Sequence, residues 1–251
     1  MTTGLFQQGG WMFVVALALA VVDWVATARN DRRLEYVFKP ATLCAILIGV
    51  WFLTSGPHNA RLARFFQWGL FFSLVGDVFL MLPAERFFLP GLFSFLVAHI
   101  FYIVGLNPTL PPWPALIVLL PIAACGFWLY QQIAVALRRA GESTMVLPTA
   151  AYAVILSLML FSGWAALFRP EWPVAGRAAV VLGASLFFAS DAMLGWDKFV
   201  RSSRALQLLV IVTYHLAQIA LAISIAPVSY THLRAHETVL DLVCRLLLEK
   251  K

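Results

Sequence analysis

Three aspartates, Asp23, Asp77 and Asp191, lie within long apolar stretches of this 251-residue sequence. Insertion scales assign an ionisable side chain inside a bilayer a cost of about 2.5–3.5 kcal/mol, so such residues usually serve a function. We expect Asp77 and Asp191 to face one cavity, where one carboxyl group stays protonated and the other stays ionised. General acid and general base catalysis require that division of roles. The alternative is that each aspartate forms an ion pair with a basic residue near the membrane surface.

The ion-pair alternative suits Asp23 best, because Arg29 and Arg32 follow it closely in the sequence. We therefore expect Asp23 to pair with one of these arginines. Lys39 precedes Pro40 at the expected start of a helix, where a missing backbone N–H costs little. Lys39 could bind a lipid phosphate, or it could be one of the basic residues that orient the protein in the membrane.

Further polar side chains lie in the two apolar segments that follow the paired aspartates. His99 and Tyr102 are three residues apart, which puts them on one face of a helix. Tyr214 and Gln218 are four residues apart and form a second such pair. We expect both pairs to line the cavity with the aspartates. Alternatively, His99 only forms a hydrogen bond between two helices.

Several common kinds of site are not indicated by the sequence. It contains no H-E-x-x-H motif, glycine-rich phosphate loop or Cys/His cluster, so we expect neither a metal ion nor another cofactor. No serine occupies a G-x-S-x-G motif, which argues against a serine hydrolase. The net charge is +6, but basic residues are not interleaved with aromatic ones, so we expect no nucleic-acid partner.

The composition is that of a membrane protein. Hydrophobic residues make up 62% of the chain and charged residues only 12%, about half the charge of a soluble domain. A spanning helix needs about 20 mostly apolar residues and satisfies its own backbone hydrogen bonds in lipid. Eight segments meet or nearly meet this need: residues 11–28, 40–54, 62–82, 88–106, 114–136, 147–168, 175–196 and 205–226. We predict an all-α integral membrane protein with one eight-helix transmembrane domain, residues 1–226.

Basic residues are unevenly distributed between the two sides of this helical bundle. Ten follow odd-numbered helices: Arg29, Arg32, Arg33, Lys39, Arg86, Arg138, Arg139, Lys198, Arg201 and Arg204. Four follow even-numbered helices: Arg61, Arg64, Arg169 and Arg177. Because cytoplasmic loops are enriched in lysine and arginine, we expect the N-terminus outside and the aspartates toward the cytoplasmic leaflet. We expect a bacterial inner membrane as host, since outer-membrane proteins are β-barrels.

Two of the aspartates lie in similar sequence contexts, SLVGDVFLMLPAERFF and SLFFASDAMLGWDKFV. Aligning Asp77 with Asp191 also aligns Leu80 with Leu194, at an offset of 114 residues, which corresponds to four helices. An even number of helices keeps both copies in the same orientation. The alignment therefore predicts two parallel four-helix repeats, related by an axis along the membrane normal.

The C-terminal segment SYTHLRAHETVLDLVCRLLLEKK, which begins at Ser229, breaks the apolar pattern. It resembles the peptide tails that arise when sequencing-adapter DNA is translated at the end of an assembled fragment. We interpret residues 227–251 as a non-native tail and assign them no function. The alternative is an amphipathic C-terminal helix.

The chain resembles the YhhN-like lysoplasmalogenase family of membrane proteins over about residues 10–226. The resemblance rests on GDVFLML and GASLFFASDAML around the two aspartates, on Lys39-Pro40, on TYHLAQ in the last span, and on a spaced pattern. That pattern comprises Phe88, Gly91, Phe95, His99 and Tyr102. The resemblance implies eight spans and hydrolysis of the vinyl ether bond of lysoplasmalogens, which releases a fatty aldehyde and a glycerophospho-head group.

The resemblance also implies that Asp77 and Asp191 are catalytic. Vinyl ether hydrolysis needs a neutral acid that protonates carbon and a carboxylate that activates water, and needs no metal. Our hypothesis gives Asp77 the role of acid and Asp191 the role of base. The remaining polar residues would orient water or bind the head group: Lys39, His99, Tyr102, Tyr214 and Gln218.

Two other classes of function remain open from the sequence. Parallel repeats and intramembrane acids also suit a proton-coupled transporter or a lipid flippase. A structural membrane protein is the third possibility, but it leaves the aspartates without a purpose. An enclosed cavity that holds both aspartates and opens to one side favours the enzyme, whereas a path to both sides favours the transporter. The sequence does not determine the oligomeric state.

Overall fold

The computed structural model describes residues 10–54, 60–83 and 85–225, and the regular structure in these ranges is entirely helical. The eight long helices are α1 (Trp11–Arg29), α2 (Arg32–Thr54), α3 (Ala60–Met81), α4 (Phe88–Leu106), α5 (Leu119–Arg139), α6 (Val146–Ala165), α7 (Val174–Phe199) and α8 (Arg204–Ile225). Four short 3-10 turns adjoin three of them, α4, α5 and α6, at Glu85–Phe87, Trp113–Val118, Ser143–Met145 and Ala166–Phe168. Each long helical segment is long and apolar enough to cross a membrane, which confirms the predicted eight-helix fold class. The predicted tail at 227–251 lies outside the described residues.

The start of α2 differs from the sequence prediction. The helix begins at Arg32 rather than at residue 40, so Pro40 lies inside it, in the third turn. Asp31 caps this start, because its Oδ1 atom accepts hydrogen bonds from the backbone N–H groups of Arg33 and Leu34 at 3.1 and 3.3 Å. Pro40 removes one helical hydrogen bond but leaves the rest of the helix intact. As a result, Lys39 lies well inside the helix rather than at its first residue.

The last helix, α8, is the most buried of the eight spans. It forms hydrogen bonds with α1 through Trp24, with α3 through Asp77, with α4 through Tyr102 and with α7 through Ser190. A helix with neighbours on all sides can carry polar groups into the centre of the bundle. Around it, the lipid-facing surface carries large exposed apolar side chains, including Trp51, Phe93, Phe127 and Leu147.

Two glycines allow close approach of neighbouring helices at related places in the bundle. A Cβ atom at Gly69 on α3 would lie 2.8 Å from Cδ1 of Tyr102 on α4. A Cβ atom at Gly183 on α7 would lie 3.0 Å from the backbone nitrogen of Leu221 on α8. Gly69 and Gly183 are 114 residues apart, which is the offset between Asp77 and Asp191. A close contact at a glycine therefore occurs in the helix pair of each predicted repeat, with different facing atoms.

The two ends of the bundle differ in polarity and in packing. At one end, called the Asn30 end here, α1, α3, α5 and α7 finish. At the opposite end, the Arg169 side chain is only 1% exposed. Its guanidinium group donates hydrogen bonds to Thr109 Oγ1 at 2.8 Å and to Asn107 Oδ1 at 3.3 Å. Arg169 is therefore a structural residue that ties two connecting segments together, not an exposed loop cation.

Candidate active site

Asp77 is buried and bound by two partners from different helices. It lies near the end of α3, and its side chain is only 1% exposed. Lys39 Nζ on α2 lies 3.0 Å from Asp77 Oδ1, and the Tyr214 hydroxyl on α8 donates a hydrogen bond to Oδ2 at 2.7 Å. The Lys39 ammonium group also lies 5.9 Å from the centre of the Tyr214 ring. Asp77 is thus a carboxylate with a cation on one oxygen and a hydroxyl donor on the other.

Asp191 is also buried, but its partners are neutral or weakly basic. The Tyr152 hydroxyl on α6 donates a hydrogen bond to Asp191 Oδ2, and His99 Nε2 on α4 lies 3.5 Å from the same oxygen. His99 Nδ1 lies 2.6 Å from the carbonyl oxygen of Phe95, which can only accept, so Nδ1 carries a proton. A neutral His99 therefore presents an acceptor nitrogen to Asp191. Among the described residues, no lysine or arginine forms an ion pair with Asp191.

A phenylalanine ring lies between the two aspartate environments. The Phe187 ring centre is 4.7 Å from that of His99 and 5.7 Å from that of Tyr214. The same ring therefore contacts a partner of each carboxyl group, His99 beside Asp191 and Tyr214 beside Asp77. Phe187 is fully buried and keeps the partners of each carboxyl group apart.

Two cavities near the aspartates have different linings. A cavity of about 250 Å³ is lined by Lys39 and Asp23 and extends to Asn30, so it belongs to the Asn30 end; neither Asp77 nor Asp191 lines it. A pocket of about 50 Å³ is lined by Asp191 together with Tyr152, Thr149 and mostly apolar side chains. Neither of these two cavities is lined by both aspartates, and one cavity shared by Asp77 and Asp191 stays a prediction. The Lys39 side chain, which is 19% exposed, connects the larger cavity to Asp77.

Most of the polar residues named from the sequence meet in this region. Lys39 and Tyr214 contact Asp77, and His99 approaches Asp191, as described above. Tyr102 and Gln218 bind each other instead, because the Tyr102 hydroxyl donates to Gln218 Oε1 at 2.7 Å. Neither forms a hydrogen bond with an aspartate among the described contacts. Their hydrogen bond joins α4 to α8. Gln218 Nε2 has no hydrogen-bond partner in the described part of the chain.

The expected ion pair of Asp23 is absent from the described structure. Asp23 is fully buried, and neither carboxyl oxygen has a hydrogen-bond partner among residues 10–54, 60–83 and 85–225. The prediction of an ion pair with Arg29 or Arg32 was wrong, because Asp23 faces the interior of the bundle. Arg29 and Arg32 are both exposed.

Two residues next to Asp191 were missed by sequence reasoning. Tyr152 donates to the carboxyl group, and Thr149 lines the same pocket with a buried hydroxyl that has no partner among the described residues. The repeat could have revealed Tyr152. Lys39 and Tyr152 are 113 residues apart, almost the offset between the two aspartates that they bind.

The partners of the two aspartates follow the order of the predicted repeats. Asp77 is bound from the second and eighth helices, and Asp191 from the sixth and fourth. Exchanging the two halves converts one set into the other: Lys39 corresponds to Tyr152, and Tyr214 corresponds to His99, at an offset of 115 residues. Each half therefore supplies one aspartate, one partner for it and one partner for the other half.

This architecture defines a class: a multi-pass α-helical membrane protein with three buried aspartates in its interior, two of which have hydrogen-bond or ion-pair partners. No group of three or more His, Cys, Asp or Glu side chains that could hold a metal occurs in the part of the chain that the structure describes. The YhhN family model matches residues 34–225, and the chain belongs to that family.

Curated relatives cover most of the chain. It is 33% identical over 222 residues to lysoplasmalogenase TMEM86B of Rattus norvegicus, covering 87% of this chain and 84% of the relative. It is 35% identical over 214 residues to lysoplasmalogenase TMEM86B of Homo sapiens, covering 84% of each. It is 26% identical over 198 residues to the uncharacterized membrane protein YhhN of Escherichia coli O6:H1, covering 78% of this chain and 88% of the relative. No solved structure matches.

Proposed function

We propose that this protein is a membrane-embedded ether hydrolase that cleaves the vinyl ether bond of lysoplasmalogens. The observation that carries the proposal is the pair of buried aspartates with unlike partners, one bound by a lysine and one without a cation. Acid–base hydrolysis needs carboxyl groups in two different states. The mammalian relatives, which cover more than four fifths of the chain, are named lysoplasmalogenases and support this choice of reaction.

The contacts favour a division of roles opposite to our sequence hypothesis. Lys39 stabilises the ionised form of Asp77, which suits a base that activates water. Burying a carboxyl group without a cation costs less free energy when the group is neutral, which suits Asp191 as the acid. The acceptor nitrogen of His99 beside Asp191 is compatible with a proton on that carboxyl group. We therefore assign Asp191 as the acid and Asp77 as the base.

The reaction then balances with these two groups alone. Asp191 gives its proton to the β-carbon of the vinyl ether, and the double-bond electrons form the new C–H bond, leaving an oxocarbenium ion. Asp77 removes a proton from the water that attacks this cation, which gives a hemiacetal. As the C–O bond to glycerol breaks, Asp77 returns its proton to the departing oxygen and Asp191 takes the hydroxyl proton. The products are a fatty aldehyde and a glycerophospho-head group.

The other polar residues act on the two carboxyl groups. Lys39 and Tyr214 hold Asp77 through the ion pair and the hydrogen bond, and Lys39 also lines the larger cavity, where it can bind the lipid phosphate. His99 and Tyr152 orient Asp191. Tyr102 and Gln218 form the layer behind them and keep the helices in register.

The surroundings of Asp191 suit an apolar chain. Its pocket is lined mainly by apolar side chains and shares Tyr130 and Ala153 with a lipid-facing groove of about 320 Å³ between α5 and α6. An alkenyl chain in this groove would bring the vinyl ether toward Asp191. We propose that substrate enters laterally from the lipid, at the cytoplasmic leaflet of a bacterial inner membrane, because the Asn30 end carries most of the basic residues.

A transporter is the rival function, and the packing at the Arg169 end argues against it. A carrier needs a route to both sides of the membrane. The cavity nearest to Lys39 belongs to the Asn30 end, whereas buried Arg169 ties the connecting segments together at the other end. These contacts favour an enzyme with access from one side.

The test is aldehyde release from a lysoplasmalogen by the purified protein in detergent. We expect release by the wild type and a loss of about 10²–10⁴-fold in Asp77→Asn and Asp191→Asn. Glu142→Gln, which removes an exposed carboxylate in the turn between α5 and α6, is the matched control and should retain activity. No release by folded wild type, with either ethanolamine or choline head groups, would overturn the proposal and favour the transporter.

A further inference from the structure

The third buried aspartate, Asp23, has no role in the proposed reaction and no partner in the described structure. Both of its carboxyl oxygens are buried without a hydrogen bond among the described residues. A buried carboxyl group without a partner is costly, so its retention calls for a ligand that is bound only part of the time. Asp23 lines the 250 Å³ cavity at the Asn30 end, where such a ligand could enter.

The cavity carries both signs of charge. Asp23 and Glu35 line it and act on each other as like charges, while Lys39 and Arg32 supply cations along the same wall. Two neighbouring carboxyl groups favour a cation between them, and the basic residues favour an anion nearby. A zwitterion with an ammonium group and a phosphate group, separated by a short linker, satisfies both preferences.

The order of charged groups along the site matches the order of groups in the proposed substrate. Asp77 pairs with Lys39 at 3.0 Å, and Lys39 and Asp23 line the same cavity. In a lysoplasmalogen, the vinyl ether is followed by glycerol, phosphate and the amine. With the vinyl ether between Asp77 and Asp191, the phosphate falls near Lys39 and the amine near Asp23.

The lining of the cavity also distinguishes between two kinds of amine. Quaternary ammonium groups are typically recognised by several aromatic rings arranged as a cage. Of the residues that line this cavity, only Tyr36 is aromatic, and its hydroxyl donates to the carbonyl oxygen of Met81 at 2.6 Å. A primary ammonium group instead donates three hydrogen bonds, and neither carboxyl oxygen of Asp23 has a hydrogen-bond partner among the described residues.

We infer that Asp23, with Glu35 beside it, forms the subsite for a primary ammonium head group, so that the protein prefers ethanolamine lysolipids to choline lysolipids. The inference rests on the proposed function for the identity of the lipid. The subsite itself depends only on the unpartnered carboxyl group and the charged cavity. Binding can therefore be tested without catalysis.

The experiment measures binding of ester-linked lysophosphatidylethanolamine and lysophosphatidylcholine, which have no vinyl ether, to the full chain in detergent. A charge-assisted hydrogen bond changes affinity by about tenfold or more, so we expect wild type to prefer the ethanolamine lipid by about that factor. Asp23→Asn should bind both lipids equally. Asp31→Asn, which alters an exposed aspartate on the adjoining turn, should keep the preference.

Thermal unfolding without lipid separates a ligand site from a structural role. Removing an unpartnered buried charge should leave the melting temperature of Asp23→Asn unchanged or raised. Equal binding of both lipids by wild type, or an unchanged preference in Asp23→Asn, would overturn the inference. Equal affinity for free phosphoethanolamine and for the lysolipid would also overturn it, because the site would then serve a soluble ligand. None of these results depends on aldehyde release, so failure of the hydrolase proposal remains distinguishable.

Discussion

The N-terminal half of the bundle, α1 to α4, and the C-terminal half, α5 to α8, each hold one of the two aspartates that the predicted repeat aligns, and the surroundings of these aspartates differ. Asp77 faces the ammonium group of Lys39, whereas the equivalent place beside Asp191 holds the neutral hydroxyl of Tyr152. In the proposed mechanism, a cation in one half and a hydroxyl in the other give two similar carboxyl groups different preferred protonation states. Two predicted repeats can thus support asymmetric chemistry through the residues that differ at their partner positions.

The largest expected effect is on catalysis, and it should differ between the halves. Asp191→Asn removes the only proposed proton donor to carbon, so aldehyde release should fall by about 10³–10⁴-fold. Asp77→Asn should cost less, about 10²–10³-fold, because water attacks an oxocarbenium ion readily without full deprotonation. Initial rates with a vinyl ether lysolipid check this order. The reverse order would restore our sequence hypothesis, in which Asp77 is the acid.

The second effect concerns stability and the ion pair. Lys39→Met leaves Asp77 buried with an uncompensated charge, and we expect a loss of about 3 kcal/mol in the free energy of unfolding. The double variant Lys39→Met/Asp77→Asn should recover most of that loss, because no buried charge is left unpaired. Unfolding in detergent, followed for both variants, checks the coupling. If the double variant is no more stable than Lys39→Met, the unpaired charge of Asp77 is not the cause of the loss in the free energy of unfolding.

The third effect compares the equivalent glycines. Gly69→Ala and Gly183→Ala each add a methyl group at a close helix contact, which should cost about 1–3 kcal/mol. Gly69→Ala should cost more, since its new Cβ would lie 2.5 Å from the fully buried Tyr102 ring, whereas the Gly183 Cβ would lie 2.8 Å from Cγ of Leu221 and 3.0 Å from its backbone nitrogen. The melting temperatures of both variants test this ranking. Gly141→Ala is measured separately, because it changes an exposed turn residue with a positive φ rather than a helix contact. Equal effects would mean that both helix pairs relax alike.

The smallest effect concerns the two hydroxyl donors. Tyr214→Phe and Tyr152→Phe each remove one hydrogen bond to an aspartate and should cost about 0.5–1.5 kcal/mol of stability. Tyr152→Phe should affect activity more, because Asp191 then has only His99 to orient it, whereas Asp77 keeps Lys39. Paired melts and aldehyde assays of the two variants check this difference. A larger activity loss in Tyr214→Phe would contradict the proposed roles.

Local sequence patterns predicted the spans well and their ends less well. Apolar stretches identified all eight helices because each spans lipid with its own residues. The start of α2 was misplaced because its first eight residues, Arg32–Lys39, are charged or mixed in character, so the apolar stretch begins only at residue 40. The helical hydrogen bonds nevertheless extend back through this segment to the Asp31 cap. Proline at position 40 suggested a helix start, but a proline is also tolerated inside a helix at the loss of one hydrogen bond.

The sequence by itself determined the membrane class, the eight helices, the two aspartates of interest and most of the polar residues around them, because buried polar groups stand out against an apolar background. Only the tertiary structure decided which side chains meet. Asp77 and Tyr214 are 137 residues apart, and Asp191 and Tyr152 are 39 apart. Contacts across such separations depend on how the helices pack and rotate against one another. That packing also turned Asp23 inward, and it gave one aspartate a lysine and the other a hydroxyl.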